Sequence, residues 1–427
     1  MDLAQQLVAW RRDFHAHPEL GFCEYRTAAR VCDVLAAVPG CKLRVGREVM
    51  TESARMGAPA PEDAAVARAE AIAAGANPKW VDAMGDGLTG VVAEWTFPRP
   101  GPTLAFRVDM DALPVTESVA TTHAPARSGF ISGRPGRMHA CGHDGHTSIG
   151  LGLAQLVARR GAKWGGRLRI IFQPAEEGCA GAASMVEAGV VKDVDYFVAG
   201  HLGTAADETG LVSCGSTGFL ATTKLDVTLR GVAAHAGMKP HEGRNALLAA
   251  ATLTLQLHAI TRHGAGDSRV NVGQLIAGSG RNIIADHAEL KLEVRGSNTE
   301  INEFMTAEAR RIIAATAAMH DVQATVKVVG AAQGAKCDAA LKQIVAGAAR
   351  SLPPTKRVVD SLEMPGSEDA SCFMNAVQAR GGQATYLLIG SRLTAGHHHP
   401  TFDFDEASLL HGVELYAAIA DRILTVP

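Results

Sequence analysis

Hydrophobic and polar positions follow two different patterns along the chain. Near the N-terminus apolar residues recur at helical spacing, over residues 3–14 and 27–38. From residue 89 onward, short apolar and β-branched runs alternate with segments long enough for a helix, and runs without polar alternation are typical of buried parallel strands. The strands predicted in this region are 89–97, 103–108, 168–172 and 195–199, with a helix over 148–160 that Thr147 would cap.

A second pattern occupies residues 217–330. Its predicted order is strand, helix, strand, strand, helix, strand, and the run 283–294 alternates clearly between apolar and polar positions. This order is the split βαβ arrangement of a small α+β domain. The sequence therefore predicts an α/β protein in which a mostly parallel-sheet domain, residues 1–216 and 331–427, is interrupted by a smaller βαββαβ domain.

Residues 46–87 do not fit the alternation of strands and helices. They contain two helix-like runs, 61–74 and 78–84, with no strand pattern between them. We interpret the segment as a helical insertion in the first domain, with one side facing solvent.

Composition narrows the class of protein. Of the 427 residues, 47% are hydrophobic and 20% charged, which is typical of a folded globular protein with two or three domains. The net charge of −3 makes nucleic acid or an anionic membrane an unexpected partner. The chain shows neither a long uncharged apolar stretch nor the pattern of a signal peptide, and its eight cysteines form no CxxC pair. We therefore expect a cytoplasmic protein with reduced thiols.

Candidate metal ligands are concentrated in residues 139–146, which read His-Ala-Cys-Gly-His-Asp-Gly-His. Cysteine, histidine and aspartate all bind zinc-like ions, and glycine lets the backbone bend so that alternate side chains converge. A polar loop with an incidental helix cap is one alternative, and a structural zinc site is another. The structural site is disfavoured because its usual CxxC-type spacing is absent.

Acidic and imidazole groups also follow four predicted strands, namely 103–108, 168–172, 195–199 and a further strand over 384–389. In open α/β sheets, ligands bind beyond the carboxyl ends of the strands, so these groups are expected to share one site. They are Asp109 and Asp111, Glu176 and Glu177, His201, and the run from His397 to His399.

The adjacent carboxylates Glu176 and Glu177 suggest a division of roles. Side chains of neighbouring residues on a turn are not expected to point the same way. One carboxylate can bind a metal ion while the other holds the attacking water and accepts its proton. A solvated acidic turn is the alternative. On residue type alone, His235, Arg281 and Asn282 are structural or turn residues.

Five motifs resemble those of one metallopeptidase family, which contains the aminoacylases, the hippurate hydrolases and the plant auxin-conjugate hydrolases. The resemblance spans the whole chain. The motifs are Phe106-Arg-Val-Asp-Met-Asp-Ala-Leu-Pro114, the segment 139–146, Phe172-Gln-Pro-Ala-Glu-Glu-Gly178, Gly200-His201 and Gly366-Ser-Glu-Asp369.

The resemblance implies a dinuclear amidohydrolase that holds two divalent ions, Mn²⁺ or Zn²⁺. Cys141 would bridge the two ions as a thiolate. Glu176 would be the general base and then the acid that protonates the leaving amine. His398 is preferred to its two neighbours because it stands two residues before Pro400. By position, the metal ligands would be Cys141, His143, Glu177, His201 and His398.

The same resemblance implies roles for the inserted domain. It would be the lid and dimerisation domain, and His235 would stabilise the tetrahedral oxyanion in the partner subunit's site. The substrate would be an N-acyl amino acid, first of all the N-aroyl-glutamate p-aminobenzoyl-glutamate, with indole-acetyl-aspartate as an alternative. Arg281, Asn282 and Lys239 are the candidates for binding its carboxylate.

Other partners and activities stay open from the sequence. The chain could form a homodimer or act with a related second subunit. A metal-dependent deaminase of an aromatic acid would use the same kind of site on another electrophile. A non-catalytic partner subunit that keeps its metal ligands for folding would also carry these motifs.

Overall fold

Two main β-sheets organise the chain. The computed structural model describes residues 1–364 and 366–425. The chain divides into two units. The first unit comprises Met1–Gly218, Ala335–Pro365 and Asp369–Pro427, and the second comprises Phe219–Gly334 and Gly366–Glu368.

The strands and helices are numbered separately in chain order. The strands are β1 (Lys42–Val45), β2 (Val91–Thr96), β3 (Arg99–Asp109), β4 (Gly165–Gln173), β5 (Tyr196–Leu202), β6 (Leu211–Ser213), β7 (Ser216–Thr217), β8 (Ala221–Arg230), β9 (Ser268–Ala277), β10 (His287–Gly296), β11 (Gln323–Ala332), β12 (Arg357–Val359), β13 (Leu362–Glu363) and β14 (Gln383–Ile389). The α-helices are α1 (Leu3–Ala16), α2 (Tyr25–Ala36), α3 (Pro61–Ala73), α4 (Pro78–Ala83), α5 (Ala124–Ser128), α6 (His143–Arg160), α7 (Ala182–Glu187), α8 (Ala246–His258), α9 (Thr299–Met319), α10 (Ala339–Arg350), α11 (Ala370–Gln378) and α12 (Ala407–Leu424).

The first unit contains the larger sheet, in the order β1-β2-β4-β3-β5-β14-β6-β12. Strands β4, β3, β5 and β14 run parallel to one another. At one edge β2 pairs with β4 in antiparallel fashion, and β1 pairs with β2 in the same way. Side chains of successive residues in the parallel strands are fully buried, as at Ile170, Ile171 and Phe172. Burial on both faces explains why these strands read as continuous apolar runs. The predicted mostly parallel α/β fold is confirmed.

The second unit contains the smaller sheet, in the order β11-β8-β10-β9, with all neighbours antiparallel. Its chain order is β8-α8-β9-β10-α9-β11, which is the predicted βαββαβ arrangement. Leu225, Leu290 and Val294 of the sheet pack with Leu253 of α8 and Ile313 of α9 in a core of their own.

Three differences from the sequence prediction affect the site. Helix α6 begins at His143, after Gly142 with φ of 96°, so the predicted cap at Thr147 is wrong. The Thr147 hydroxyl instead donates to the Asp109 carbonyl oxygen at 2.9 Å. His201 lies inside β5 rather than beyond its end. The sequence pattern also did not identify α12, although the segment 46–87 is helical as expected.

No helix in the described part of the chain is both long and apolar enough to cross a membrane.

Candidate metal centre

Ligand-type side chains from four segments of the first unit meet at one end of the parallel sheet. Cys141 and His143 lie at the start of α6, Glu177 follows β4, His201 is in β5, and His398 is in the loop after β14. Their ligand atoms form two groups, and within each group all atoms lie within 4.8 Å of one another. One group is Cys141, His143 and His201, and the other is Cys141, Glu177 and His398. The two groups share Cys141.

His143 directs Nε2 into this centre. Its Nδ1 lies 2.9 Å from the carbonyl oxygen of Asp111, so Nδ1 carries the proton and donates. Nε2 is buried without a hydrogen-bond partner among the described residues. The nearest carboxylate oxygens, of Asp109, Glu176 and Glu177, lie 3.7, 3.8 and 3.9 Å away. A buried imidazole nitrogen without a hydrogen-bond partner is in a position to bind a metal ion.

His201 is arranged in the same way. Its Nδ1 lies 2.8 Å from the carbonyl oxygen of Leu202, so this nitrogen donates and the Nε2 lone pair is left over. Nε2 lies 3.4 Å from Sγ of Cys141. Burial, with His146 and His397 nearby, lowers the pKa of His201 well below its usual range. The imidazole is therefore neutral, as metal binding requires.

The thiol of Cys141 does not ionise easily at this position. Burial, reinforced by the carboxylate of Glu177, raises its pKa well above the usual range. A thiolate at this position therefore needs a cation beside it. Thiolate, imidazole and carboxylate together suit several first-row divalent ions, so the residues present fit a metal centre.

The turn that carries Glu176 and Glu177 is held by its backbone. Asp111 accepts from Glu176 N at Oδ1 and from Glu177 N at Oδ2, both at 3.0 Å. Ala175, just before, has φ of 54°, a left-handed conformation that few residues other than glycine adopt. This bend brings both carboxylates within 4 Å of His143 Nε2. The expectation that they point in different directions is therefore wrong.

A second buried carboxylate supports the same turn. Glu24, immediately before α2, accepts from Ala175 N at 2.8 Å and from the Thr89 hydroxyl at 2.6 Å. Burial, and then the charge of Asp111, raises the pKa of Glu24 to about 8. Sequence analysis missed Glu24. Asp111 was noted at a strand end, but its role in holding the turn was not foreseen.

Of the three consecutive histidines, only His398 belongs to a ligand group. Its backbone has φ of 65° and donates to the Ala140 carbonyl at 2.7 Å, and its Nε2 lies 3.3 Å from Oε2 of Glu177. The ring of His397 lies 4.9 Å from that of Phe402, tilted by 43°, and burial lowers the pKa of His397 to about 4. His399 places Nδ1 2.9 Å from the hydroxyl oxygen of Thr401.

The other predicted site residues lie together in the second unit. His235 accepts from the backbone N–H groups of Gly237 and Met238 at Nδ1, both at 3.2 Å, so Nε2 carries the proton. The carbonyl oxygen of Asn282 accepts from Ala236 N at 3.0 Å, which places Arg281 and Asn282 on a segment beside His235. Lys239 is paired with Glu242 at 2.8 Å, in the exposed turn that follows.

Comparison with known proteins identifies the family. The model of peptidase family M20/M25/M40 matches residues 105–422. The chain belongs to this family. It is 47% identical to a p-aminobenzoyl-glutamate hydrolase subunit of Escherichia coli (strain K12), over 98% of this chain and 96% of that protein. It is 46% identical to the indole-3-acetyl-aspartic acid hydrolase of Enterobacter agglomerans, with the same coverage.

Solved structures agree with this assignment. An aminobenzoyl-glutamate utilization protein from Klebsiella pneumoniae superposes with a TM-score of 0.85 at 43% identity, over 98% of this chain and 95% of that one. A dinuclear metal binding M20 peptidase from Bacillus subtilis superposes with a TM-score of 0.66 at 26% identity, over 99% of both chains. The chain is therefore a metallopeptidase-family hydrolase.

Proposed function

We propose that this M20 enzyme is a dinuclear amidohydrolase that cleaves p-aminobenzoyl-glutamate to p-aminobenzoate and glutamate. The observation that carries the proposal is that two groups of metal-ligand atoms share a single thiol, at Cys141. The substrate follows from relatives in Escherichia coli and Klebsiella pneumoniae whose names specify aminobenzoyl-glutamate. These relatives cover nearly the whole chain.

Five residues would hold two divalent ions, Mn²⁺ or Zn²⁺, and Cys141 belongs to both groups of candidate ligands. The ions, when bound, supply Lewis acidity, which polarises the scissile carbonyl and lowers the pKa of a water molecule. Because each of the imidazoles of His143 and His201 donates from Nδ1 to a carbonyl oxygen, both present Nε2 to the ions. The proposed ligands are Cys141, His143, Glu177, His201 and His398.

Glu176 is assigned the proton transfers. Its neighbour Glu177 lies in the ligand group with Cys141 and His398, whereas the candidate groups that include Glu176 contain neither Cys141 nor His398. The Glu176 carboxylate therefore accepts the proton of the attacking water and returns it to the nitrogen of the leaving amine. The hydrogen bonds from the turn to Asp111 keep this carboxylate in place during both steps.

His235 is assigned the stabilisation of the oxyanion, in the partner subunit's site, as the family resemblance implies. Two backbone donors at Nδ1 fix its tautomer, so the exposed Nε2–H is ready to donate to a developing negative charge. Arg281 would bind the glutamate carboxylate through its guanidinium fork, with Asn282 and Lys239 beside it.

Two copies of the chain would associate through the second unit. Leu248 and Leu255 lie seven residues apart on one face of α8 and are 53% and 73% exposed. Strand β9 is an edge of its sheet and carries Ile276, which is 56% exposed. Exposed apolar surface beside an open strand edge is typical of an interface between protein chains. A related second subunit is the alternative occupant, because the Escherichia coli relative is named as one subunit of a hydrolase.

Indole-3-acetyl-aspartate is a second candidate substrate. The Enterobacter agglomerans relative named for it is 46% identical to this chain, against 47% for the aminobenzoyl-glutamate relative. Both substrates join an aromatic acyl group to an acidic amino acid, so the same ligands and the same base would serve either.

A substrate panel tests the proposal. The purified chain, reconstituted with Mn²⁺ or Zn²⁺, is assayed with p-aminobenzoyl-glutamate, indole-3-acetyl-aspartate and N-acetyl-glutamate. We expect release of glutamate from the first at the highest kcat/KM. Release of ammonia without glutamate would identify a deaminase, and metal binding without turnover until a second chain is added would identify a non-catalytic subunit.

A further inference from the structure

The same site contains a histidine to which the proposed function gives no role. We propose that His146 is a positioning residue of the metal centre and not a metal ligand, holding the peptide of Leu202 so that His201 presents Nε2 to Cys141. The inference rests on the proposed metal centre, and it concerns how that centre is built.

Both ring nitrogens of His146 are already engaged. Nδ1 lies 2.6 Å from Oδ1 of Asp109, and Nε2 accepts from the backbone N–H of Leu202 at 2.9 Å. The Leu202 N–H can only donate, so the Nε2 of His146 must carry the lone pair and Nδ1 the proton. His146 is 2% exposed, so water does not compete for either contact.

The end of β5 explains why this contact is needed. Strand β3 pairs with β5 only as far as the register Arg107 with Ala199. Leu202 lies three residues beyond this point, and its backbone N–H donates to a side chain of α6 instead of to β3. A buried backbone N–H needs an acceptor, and His146 supplies it.

The residue whose N–H is held also orients the metal ligand. The carbonyl oxygen of the same residue, Leu202, accepts from Nδ1 of His201 at 2.8 Å. His146 therefore fixes the N–H of the residue whose carbonyl sets the tautomer and direction of His201. A partner that orients a metal-binding imidazole through its second nitrogen typically changes metal affinity by about 10- to 100-fold.

On its Nδ1 side, His146 is connected through Asp109 to a buried hydrogen-bond network. Oδ2 of Asp109 accepts from Nη1 of Arg107 at 2.6 Å, and Nε of Arg107 donates to Gln173 at 2.7 Å. Asp109, Arg107 and Gln173 are all fully buried. The side chains of β3 and β4 thus fix Asp109, Asp109 fixes His146, and His146 fixes the end of β5.

A different role for His146 has to be tested against this one. Asp109, His143 and His146 have ligand atoms within 4.8 Å of one another, which would also suit a metal ion. Binding an ion there would take His146 away from either Asp109 or Leu202. The N–H of Leu202 or the carboxylate of Asp109 would then be buried without this partner.

Two substitutions separate the contacts of His146. An asparagine amide reaches the position of Nδ1 and can still donate to Asp109, but it leaves Leu202 N–H without its acceptor. A glutamine oxygen reaches the position of Nε2 and can still accept from Leu202. His411→Gln is the matched control, because His411 is buried in α12 and its Nε2 lies 2.9 Å from the Thr355 hydroxyl oxygen.

The readout is Co²⁺ binding by the full chain, measured as stoichiometry and Kd by calorimetry and as the thiolate-to-cobalt absorption band. We expect every variant to bind as many ions as the wild type. His146→Asn should weaken Kd by about 10- to 100-fold, with His146→Gln and His411→Gln closer to the wild type. Loss of one ion in both His146 variants would make His146 a ligand and overturn the inference. Equal Kd values for the wild type, His146→Asn and His146→Gln, or a Gln variant no better than Asn, would also overturn it.

A measurement on the unmodified chain covers the case of variants that fail to fold. With ¹⁵N-labelled histidine and ¹¹³Cd²⁺, we expect His201 Nε2 to couple to cadmium and neither nitrogen of His146 to do so. Coupling at His146 would overturn the inference. Absence of any metal binding by the wild type would instead count against the proposed function itself.

Discussion

Three consecutive backbone N–H groups, of Ala175, Glu176 and Glu177, are bound by two buried carboxylates. Glu24 accepts the first, and Asp111 accepts the other two. The turn that carries the proposed base and a proposed ligand is therefore defined by hydrogen bonds that do not involve its own side chains.

Two substitutions of Glu24 should distinguish its role as a hydrogen-bond acceptor from the effect of its charge. Gln keeps an acceptor for Ala175 N–H and an amide for the Thr89 hydroxyl, whereas Ala leaves Ala175 N–H buried without an acceptor. An unsatisfied buried donor costs about 1–3 kcal/mol. We expect Glu24→Ala to lower both Tm and kcat, and Glu24→Gln to stay near the wild type, in thermal unfolding and steady-state assays. An Ala variant as stable and active as the Gln variant would contradict this.

Substitutions of the two adjacent carboxylates, Glu176 and Glu177, should have different effects on activity and metal content. Glu176→Gln should keep the metal content of the wild type while kcat falls by about 10²- to 10⁴-fold, the usual contribution of a general base. Glu177→Gln should lose metal, because Glu177 belongs to the group with Cys141 and His398. Metal analysis by mass spectrometry beside kinetics measures both. The reverse pattern would show that the two residues have exchanged roles.

Residue types in the sequence indicated candidate metal ligands but not the groups that hold them in place. Cys141 and His143 stand out because thiol and imidazole groups are concentrated in residues 139–146, and His201 stands out because it follows a predicted strand. Glu24 and His146 act through backbone N–H groups, and no pattern of residue types shows which peptide a side chain will reach. That information exists only once the chain has folded.

At the scale of the elements, one face of α1 holds the start of α6. Arg11 donates to Asp144 at 3.0 Å and to Asp403 at 2.6 Å. His15, one turn later, lies 2.8 Å from Asp144 and 2.9 Å from Glu117. Asp144 follows His143 directly in α6, so the buried charges of α1 help to fix the first turn of the helix that carries a ligand.

This contact should make stability depend on pH. Burial by itself lowers the pKa of His15, but hydrogen bonds to Asp144 and Glu117 more than offset this, and the net pKa is raised. The folded state therefore binds the proton more tightly than the unfolded state, whose pKa is about 6.5. The stabilisation is complete below that pH and is lost as the pH rises through the higher folded pKa.

Unfolding free energies of the wild type and His15→Gln, measured by denaturant titration across this range, test the point. We expect the advantage of the wild type to shrink as the pH rises above about 6.5. A difference that stays constant or grows with pH would show that His15 is not protonated in the folded chain.

Helices and strands were predictable where successive residues are apolar and buried, and not where polar residues are buried as well. Strands β3, β4 and β5 were recognised because most of their central residues are apolar and buried. The start of α6 was placed five residues late, because its first turn carries the polar residues His143, Asp144 and His146. Polar side chains at helix starts look like loop residues until their buried partners are known.

At the scale of the whole molecule, the proposed association of two chains depends on the outer face of α8. Leu255→Glu places a charge on the most exposed apolar side chain of that helix, so we expect a dimer to become a monomer in light scattering coupled to gel filtration. Val66→Glu is the control, because Val66 is 57% exposed on α3 in the first unit. A variant of Leu255 with unchanged mass, or a monomeric wild type, would contradict the proposal.

The central claim is that one thiol, shared by two ligand groups, assembles a metal centre that hydrolyses an aroyl-glutamate. Its most direct test is a titration of the chelated chain with Mn²⁺ or Zn²⁺, following bound metal and glutamate release from p-aminobenzoyl-glutamate together. We expect no hydrolysis in the chelated chain, full activity as two ions bind per chain, and loss of both in Cys141→Ala. Hydrolysis that persists after complete removal of metal would contradict the account.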